Sequence, residues 1–184
     1  MKKICLMLLI VATAITVNAQ DRYFTRSGKI HFFSKTDMEN IEALNTKGTS
    51  VMDIKTGQIE FAALMKAFEF EKELMMEHFN ENYVESDKYP KTTFKGTITD
   101  IAGVNFGKDG IYPVKIKGQM TLHGVTKDLS SDGKLEIKDG KISGKAAFVI
   151  TLADFNIVIP NVVKENISKT MKVDVTAAYE KMNS

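Results

Sequence analysis

Three histidines, His31, His78 and His123, carry most of the potential for acid–base or metal chemistry in this sequence. A metal site needs ligands that converge on one point, and paired spacings along a helix or strand are its usual sequence signal. These histidines lie on three separate predicted elements and show no such pairing. We therefore expect no metal site, and we interpret His31 as an outward strand residue and His123 as a turn residue, each a surface or capping group.

Residues that could support nucleophilic catalysis are equally sparse. The G-x-S-x-G motif of serine hydrolases does not occur, and Cys5, the single cysteine, lies in the first apolar segment. Acidic residues such as Glu69, Glu71 and Glu73 are mixed with lysines, a pattern typical of solvated surfaces. The sequence thus predicts no catalytic residue and a protein that is not an enzyme.

The first residues have the pattern of a secretory signal peptide. A basic start, Met1-Lys2-Lys3, precedes an apolar run that ends in Val17-Asn18-Ala19. We predict a signal peptide at residues 1–19 and a mature domain at residues 20–184, located in a bacterial periplasm or secreted. The apolar run is too short to favour a helix that crosses a membrane, so we expect no stable membrane span.

Removal of this leader would balance the charge of the chain. The whole sequence has 25 basic and 23 acidic residues, and the leader holds Lys2 and Lys3 but no acid, which leaves 23 of each sign. Proteins that bind nucleic acid need a basic surplus or a basic stripe. We therefore exclude nucleic acid as a partner.

Alternation of apolar and polar residues predicts that nearly the whole mature chain is β-structure. A period of two indicates a strand with one buried and one solvated face. Turn pairs such as Asp132-Gly133 and Asp139-Gly140 separate these segments, which favours one antiparallel sandwich or barrel. The clearest predicted strands are residues 23–27, 29–35, 40–46, 92–101, 114–122, 142–152 and 171–179.

Two hairpins can be tested by their register. If Asp139-Gly140 is a two-residue turn, Ile137 lies opposite Ile142 and Leu135 lies opposite Gly144, so that the apolar faces agree. If Thr56-Gly57 is another such turn, the pairs are Ile54 with Ile59 and Met52 with Phe61. We predict both registers.

Glycines interrupt the apolar faces of three predicted strands. Gly96, Gly118 and Gly144 stand where a core side chain is expected. A glycine there could mark a bulge or fill the taper of a small barrel. Together with Ala146 and Ala177, the three glycines favour a barrel with a hollow apolar interior.

Two segments depart from the strand pattern. In residues 71–83, Met75, Phe79 and Tyr83 recur every four positions, which predicts an amphipathic helix of about three turns. In residues 161–169, Val163 and Ile167 show the same spacing and predict a second short helix. We expect the two helices to cover the ends of the barrel.

The order of several short motifs resembles that of the YceI-like polyisoprenoid-binding family. The motifs are GKIHF at 28–32, LMMEHFN at 74–80, SDKYP at 86–90, TFKG at 93–96 and GQMTLHGVTK at 118–127. This resemblance implies an extended lipocalin-like antiparallel β-barrel that is exported to the periplasm. It also implies an elongated apolar cavity for a long isoprenoid lipid or a quinone tail.

The fold prediction is therefore an all-β protein: a single extended antiparallel lipocalin-like barrel with one amphipathic helix and a second short helix. No cofactor is expected other than a bound polyisoprenoid or quinone lipid. The candidate ligand-binding residues are Ile30, Phe32, Phe61, Met75, Phe79, Phe94, Gly96, Ile98, Val114, Ile116, Gly118, Met120, Ile142, Gly144, Phe148, Ile150, Val173 and Val175.

The function that these observations favour is non-enzymatic binding of a long-chain apolar lipid, with outward lysines such as Lys115 and Lys117 facing water. Two alternatives stay open. One is an envelope stress or interaction module with a packed core, in which an exposed edge strand pairs with a partner. The other is an enzyme that modifies a lipid held in the barrel. The sequence is compatible with a homodimer.

Overall fold

The computed structural model describes residues 21–182, so the predicted signal peptide at residues 1–19 lies outside the described part of the chain. Within that part the protein is mostly β-structure, as the alternation predicts. Nine strands are present: β1 (Arg22–Lys35), β2 (Asn40–Asp53), β3 (Gln58–Leu64), β4 (Glu69–Phe70), β5 (Lys91–Ile98), β6 (Gly110–Leu122), β7 (Val125–Lys138), β8 (Lys141–Thr151) and β9 (Thr170–Lys181).

Eight of these strands close into an antiparallel barrel, which confirms the predicted fold. Around the ring the order is β1, β9, β8, β7, β6, β5, β3 and β2, and pairing of β1 with β2 closes it. The two-residue β4 pairs with β2 outside this ring, Ala43 facing Phe70. Closure leaves each of the eight strands with two neighbours, so that the barrel as a whole has no free edge strand.

The first two predicted strands are one continuous strand. β1 runs through Ser27 without ending, but its register against β2 shifts between Thr25 and Gly28 and again between Gly28 and Ile30. Such shifts are β-bulges, which bend a strand without ending it. The predicted gap at residue 28 is therefore a bulge, and β2 also extends seven residues beyond the predicted end at residue 46, to Asp53.

The two hairpin predictions have different outcomes. Ile137 pairs with Ile142 and Leu135 with Gly144, as predicted, and the turn residues Asp139 and Gly140 both have positive φ angles, 49° and 72°. This conformation matches the twist of the strands, and glycine adopts it without steric cost.

The register predicted for the β2–β3 hairpin is wrong by two residues, because Met52 pairs with Ile59 and Ser50 with Phe61. The carboxylate of Asp53 accepts hydrogen bonds from the backbone N–H groups of Lys55 and Thr56, at 3.0 and 2.8 Å. These bonds stabilise a four-residue loop instead of a two-residue turn. Since the shift is an even number, Met52 and Ile59 remain on the same face.

Pairing between β7 and β8 is incomplete. The register extends only from Gly133–Ala146 to Lys138–Lys141, although β7 begins at Val125 and β8 continues to Thr151. In the gap, the Ser131 hydroxyl donates a hydrogen bond to the Ala147 carbonyl oxygen at 3.0 Å. A short 3-10 helix, Leu152–Phe155, contacts both strands next to this opening.

The first predicted helix is present, and the second is not. The helix α1 (Glu73–His78) continues as a π-helical turn, Phe79–Tyr83. In residues 161–169, only the 3-10 turn Asn161–Val163 is helical. There the Asn166 amide donates to the Glu39 carboxylate and the Ser168 N–H donates to the Ser34 hydroxyl, at 3.4 and 3.1 Å. These contacts hold the segment against the barrel, and its own backbone hydrogen bonds are limited to 3-10-type turns such as that from the Asn166 N–H to the Val163 carbonyl oxygen at 2.9 Å.

The buried residues form two separate clusters along the barrel. The helix-side cluster includes Met65, Phe68 and Leu152, with Phe32 and Phe79 packed against it. The far-side cluster includes the most completely buried hydrophobic side chains, which are Met52, Ile98 and Ile137. Phe94, Gly96 and Gly118 belong to neither cluster and lie at the level between them.

Candidate functional site

An apolar cavity of about 370 Å³ occupies the barrel and is lined by residues of both clusters. Fifteen of the eighteen candidate ligand-binding residues line it. The exceptions are Gly96, Gly118 and Ile142. Ile142 is buried in the far-side cluster instead. The cavity volume lies in the range typical of sites for small apolar ligands.

The interpretation of Gly96 and Gly118 as open space is wrong. The two glycines pair across β5 and β6, and a Cβ atom on either would overlap a carbonyl oxygen of the opposite strand, that of Lys117 or Lys95. The tip of the Phe94 ring lies over both of them, 2.6 and 2.8 Å from the ideal Cβ positions. These glycines allow a close approach of two backbones and a ring.

A second glycine pair has the same arrangement. Gly28 pairs with Gly48 across β1 and β2, and ideal Cβ positions on these residues lie 2.9 and 2.7 Å from Cζ of Phe61. Phe61 and Phe94 are themselves opposite each other on β3 and β5. From these neighbouring positions the two rings point in different directions. The Phe61 ring reaches the Gly28–Gly48 pair, and the Phe94 ring reaches the Gly96–Gly118 pair.

Aromatic packing defines the helix side of the cavity. Phe32 lies 5.5 to 5.7 Å, between ring centroids, from Phe68, Phe70 and Phe79. Tilted and edge-on contacts at this distance stabilise a cluster beyond simple burial. Phe68 and Phe70 were not predicted site residues, because they lie in the short segment between β3 and α1, where no periodic pattern marks an inward face.

Other lining residues could have been found from the sequence. Met171, Ala177 and Tyr179 line the cavity and alternate with outward residues in the same register as Val173 and Val175. The alternation along β9 therefore predicts that Met171, Ala177 and Tyr179 face the cavity. Polar lining residues such as Thr92 and Asn166 have no comparable signal, because a polar residue on an inward face contradicts the pattern used to find that face.

Polar side chains gather at the helix side of the cavity. Glu39 lines the cavity and accepts a hydrogen bond from the Lys72 ammonium group at 3.0 Å. This bond, together with the weaker one from Asn166, lowers the pKa of the Glu39 carboxyl below its ordinary value, despite partial desolvation. His78 of α1 also lines the cavity. The Glu39–Lys72 ion pair thus connects the β1–β2 turn to the start of α1, and the hydrogen bond from Asn166 adds the loop before β9.

At the far side, a buried hydroxyl network includes the cavity-lining residue Tyr179. The Tyr179 hydroxyl lies 3.0 Å from the Ser50 hydroxyl oxygen, and the Ser50 hydroxyl donates to the Glu60 carbonyl oxygen at 2.7 Å. Burial of the phenol raises the pKa of Tyr179 above its usual range. The network satisfies polar groups that would otherwise be costly to bury.

The histidines occupy three different environments. His31 lies near the surface and its ring is 3.1 Å from the Glu42 carboxylate. His123 lies in the turn between β6 and β7, as predicted, but its side chain is only 10 % exposed. Its two ring nitrogens contact the Phe155 carbonyl oxygen at 3.0 Å and the Glu85 carboxylate at 2.6 Å. His123 is therefore a structural bridge and not a surface residue.

Two further properties concern the part of the chain that the structure describes. Among residues 21–182, no group of three or more histidine, cysteine or acidic side chains is arranged to hold a metal ion. The helices in the same range are all too short or too polar to cross a membrane.

Comparison with protein families gives one match that covers most of the chain. The model of the YceI-like domain matches residues 13–179. No curated protein sequence matches this chain.

Several solved structures have a similar fold at low sequence identity. A polyisoprenoid binding domain from Saccharophagus degradans, implicated in plant cell wall breakdown, has a TM-score of 0.76 and 14% identity, covering 89% of this chain and 99% of its own. BcnA of Burkholderia cenocepacia has a TM-score of 0.68 and 12% identity, with coverages of 83% and 96%. A mutant YceI protein from Campylobacter jejuni has a TM-score of 0.51 and 14% identity, with coverages of 100% and 94%. At these identities the similarity concerns the fold.

Proposed function

The chain belongs to the YceI-like family, and on this basis we propose that it is an exported, non-enzymatic binding protein for a long apolar lipid. The ligand class is a polyisoprenoid or an isoprenoid quinone. The observation that carries this proposal is the apolar cavity that extends from the helix-side cluster to the far-side cluster. The name of the Saccharophagus degradans domain, which specifies polyisoprenoid binding, supports the same class.

The physical basis of binding is transfer of apolar surface out of water. Each Å² of lipid surface that is buried contributes about 25 cal/mol, reduced by the cost of ordering the chain. The lining of phenylalanine, isoleucine, valine and methionine side chains can make such contacts along the length of a hydrocarbon. The methionines, Met65, Met75, Met120 and Met171, suit a flexible ligand because their side chains adapt to irregular shapes.

The proposed location is the periplasm or the exterior of a bacterial cell. It follows from the predicted signal peptide at residues 1–19, which would be absent from the mature protein. Measurement of the intact mass of the exported protein tests this part of the proposal. We expect a chain that begins at or within a residue of Gln20, and a soluble protein that retains residues 1–19 would contradict it.

Lipid binding is tested on protein purified from the compartment to which it is exported. We expect native mass spectrometry to show a complex, and organic extraction of the same sample to release a neutral lipid with an isoprenoid chain. The purified protein should also bind N-phenylnaphthylamine, a fluorescent apolar reporter, and release it when a prenyl alcohol is added. Absence of both extracted lipid and reporter binding would overturn the proposal.

A further inference from the structure

The cavity extends across the level that separates the two buried clusters. Its lining includes Ile30 and Leu122 from the helix-side cluster and Leu135 and Ile98 from the far-side cluster. Between these two clusters lie the paired glycines of β1–β2 and β5–β6, by the register of the strands. A ligand that reaches from one half of the cavity to the other must pass this level.

Two aromatic rings define the width of the passage at that level. Phe61 and Phe94 both line the cavity, and the tip of each ring lies against one glycine pair. A side chain of ordinary size on Gly28 or Gly96 would occupy the position that the ring now holds, because its Cβ would lie within 3 Å of the ring. The glycines are thus recesses that receive the rings and keep them at the wall.

The recess at Gly28 is the one that can be filled with the least strain on the backbone. A Cβ atom there would meet Cζ and Cε2 of Phe61 at 2.9 and 3.0 Å, and the nearest backbone atom is the Gly48 carbonyl oxygen at 3.2 Å. The atoms that must move therefore belong to the far end of a side chain. With the recess filled, the Phe61 ring must leave it, and because Phe61 lines the cavity, we expect the ring to move into the cavity.

We propose that Phe61 and Phe94, seated in these glycine recesses, determine how long an apolar chain the protein accepts. With both rings at the wall, the two halves of the cavity form one channel. A ring displaced from its recess would confine the ligand to the helix side. This inference rests on the proposed lipid-binding function and adds the residues that select chain length.

The test uses a series of prenyl alcohols of increasing length: geraniol, farnesol, geranylgeraniol and solanesol. Each competes with N-phenylnaphthylamine for the wild-type protein and for Gly28→Ala. Each buried methylene group strengthens binding by about fourfold. We expect wild-type affinity to rise along the series. For Gly28→Ala we expect affinity for geraniol within about twofold of the wild type, and a loss of about tenfold or more for the longest chains.

Gly103→Ala is the matched control. Gly103 is not among the residues that line the cavity, and a Cβ there would lie more than 4 Å from every neighbouring heavy atom of the described chain outside its own turn. The added methyl group therefore displaces no ring. We expect its effect to stay below about threefold at every chain length.

A rescue experiment separates ring displacement from general damage. In the double variant Gly28→Ala with Phe61→Leu, the smaller side chain can share the space with the new methyl group, so binding of the longest alcohols should return. If Gly28→Ala does not fold, Phe61→Trp provides the same test, because the indole exceeds the recess and must project into the cavity. It should lose the long alcohols selectively.

Three results would overturn the inference: an equal loss at all chain lengths, no loss at any length, or no rescue by Phe61→Leu. Movement of the ring is also measured without ligand, from nuclear Overhauser contacts between Phe61 and Gly48 that Gly28→Ala should weaken. Unchanged contacts would reject the recess model. A wild-type protein that binds none of the alcohols would instead contradict the proposed function, which keeps the two failures distinct.

Discussion

The two clusters of the barrel are built on different principles. At the far side, Met52, Ile98 and Ile137 have 0, 1 and 2 % of their surface exposed, and Tyr179 has its hydroxyl satisfied. At the helix side, many apolar residues that line the cavity are only half buried, among them Phe32 and Phe79. A fully buried side chain contributes more to stability than a half-buried one, so the half-buried lining of the helix side can rearrange at lower cost.

The elements around the helix side also expose large apolar side chains. Met38 in the β1–β2 turn, Leu74 on α1 and Val162 in the loop before β9 are 71, 60 and 90 % exposed. The strands run through both sides of the barrel, and the helix side adds α1, short helical turns and loops. The fully buried residues of the far side and the half-buried residues of the helix side thus differ in how much they stabilise the fold and how easily they adapt. Mutations on each side test this difference.

The largest difference should appear when one lining residue from each side is shortened. Ile98→Ala removes a side chain that is fully buried, and should lower the free energy of unfolding by about 2–5 kcal/mol. Met75→Ala, at a half-buried position on α1, should cost about 1 kcal/mol, because solvent and flexible neighbours can fill the space. Urea denaturation of lipid-free protein measures both. Val162→Ala is the exposed control, and equal losses at Ile98 and Met75 would contradict this difference.

A second prediction concerns the level between the two clusters. If Gly118 left open space, as the sequence-based interpretation of a hollow barrel implies, Gly118→Phe would block the cavity without loss of stability, but the structure predicts the opposite. Any Cβ at this position overlaps the Lys95 carbonyl oxygen. Even Gly118→Ala should therefore lower the free energy of unfolding by about 1–3 kcal/mol.

Thermal melting of Gly118→Ala beside Gly144→Ala tests the point on matched glycines. Both sit on inward strand faces, but only Gly144 has space for a methyl group. Similar melting temperatures for the two variants would show that the close approach of β5 and β6 at Gly96 and Gly118 can relax.

A third prediction addresses the hydroxyl network of the far side. Tyr179→Phe removes one hydrogen bond and should cost about 1 kcal/mol. Ser50→Ala should cost more, about 1–3 kcal/mol, because it leaves both the Tyr179 hydroxyl and the Glu60 carbonyl oxygen without this partner in a buried place. A double-mutant cycle by chemical denaturation measures the coupling. A coupling energy near zero would show that the hydrogen bond between Tyr179 and Ser50 does not contribute to the stability of the far side.

The smallest effect is expected from the ion pair of the helix side. Because the Lys72 hydrogen bond lowers the pKa of Glu39, the pair stabilises the folded state above the ordinary value of 4.5. The stability is lost as the pH falls through the lower pKa of the folded state. The pair is partly solvated, so we expect at most about 0.5 kcal/mol.

Glu39→Gln should remove this acid-dependent contribution. Glu165→Gln, which changes the exposed pair with Lys164, is the control with the same charge change. Melting temperatures recorded from neutral to acidic pH compare the variants with the wild-type protein. If Glu39→Gln keeps the full acid dependence of the wild type, the ion pair contributes no stability to the helix side.

Local patterns predicted much of the barrel because each strand has one face in the core. Period-two alternation identified the inward residues of β6, β8 and β9, and the Asp139-Gly140 turn fixed one register. The β2–β3 register was wrong because the Asp53 side chain selects the loop, and the sequence does not show which of two loops is formed. The segment 161–169 has helical spacing, but only one 3-10 turn forms there, and hydrogen bonds to distant residues such as Ser34 help to hold the rest.

The candidate site was predicted less completely than the fold, for a related reason. Alternation identifies which residues face inward, but not what lies opposite them. The contact between Phe94 and the Gly96–Gly118 pair depends on the register of two strands and on a ring that spans them. The Glu39–Lys72 pair joins residues from separate elements. Neither contact has a signature within a single segment.

Closure of the barrel has a consequence for how the chain folds. β1 finds β2 next to it in sequence, but its other edge pairs with β9, the last strand. Contacts between such distant segments form slowly, and until they form the edges of β1 and β8 can pair with other molecules. A chain cut before Thr170 would keep seven strands of the barrel but lack the cavity-lining residues of β9 and leave both edges open. The final strand, β9, therefore closes the barrel by pairing with both β1 and β8. We expect a chain that lacks β9 to aggregate.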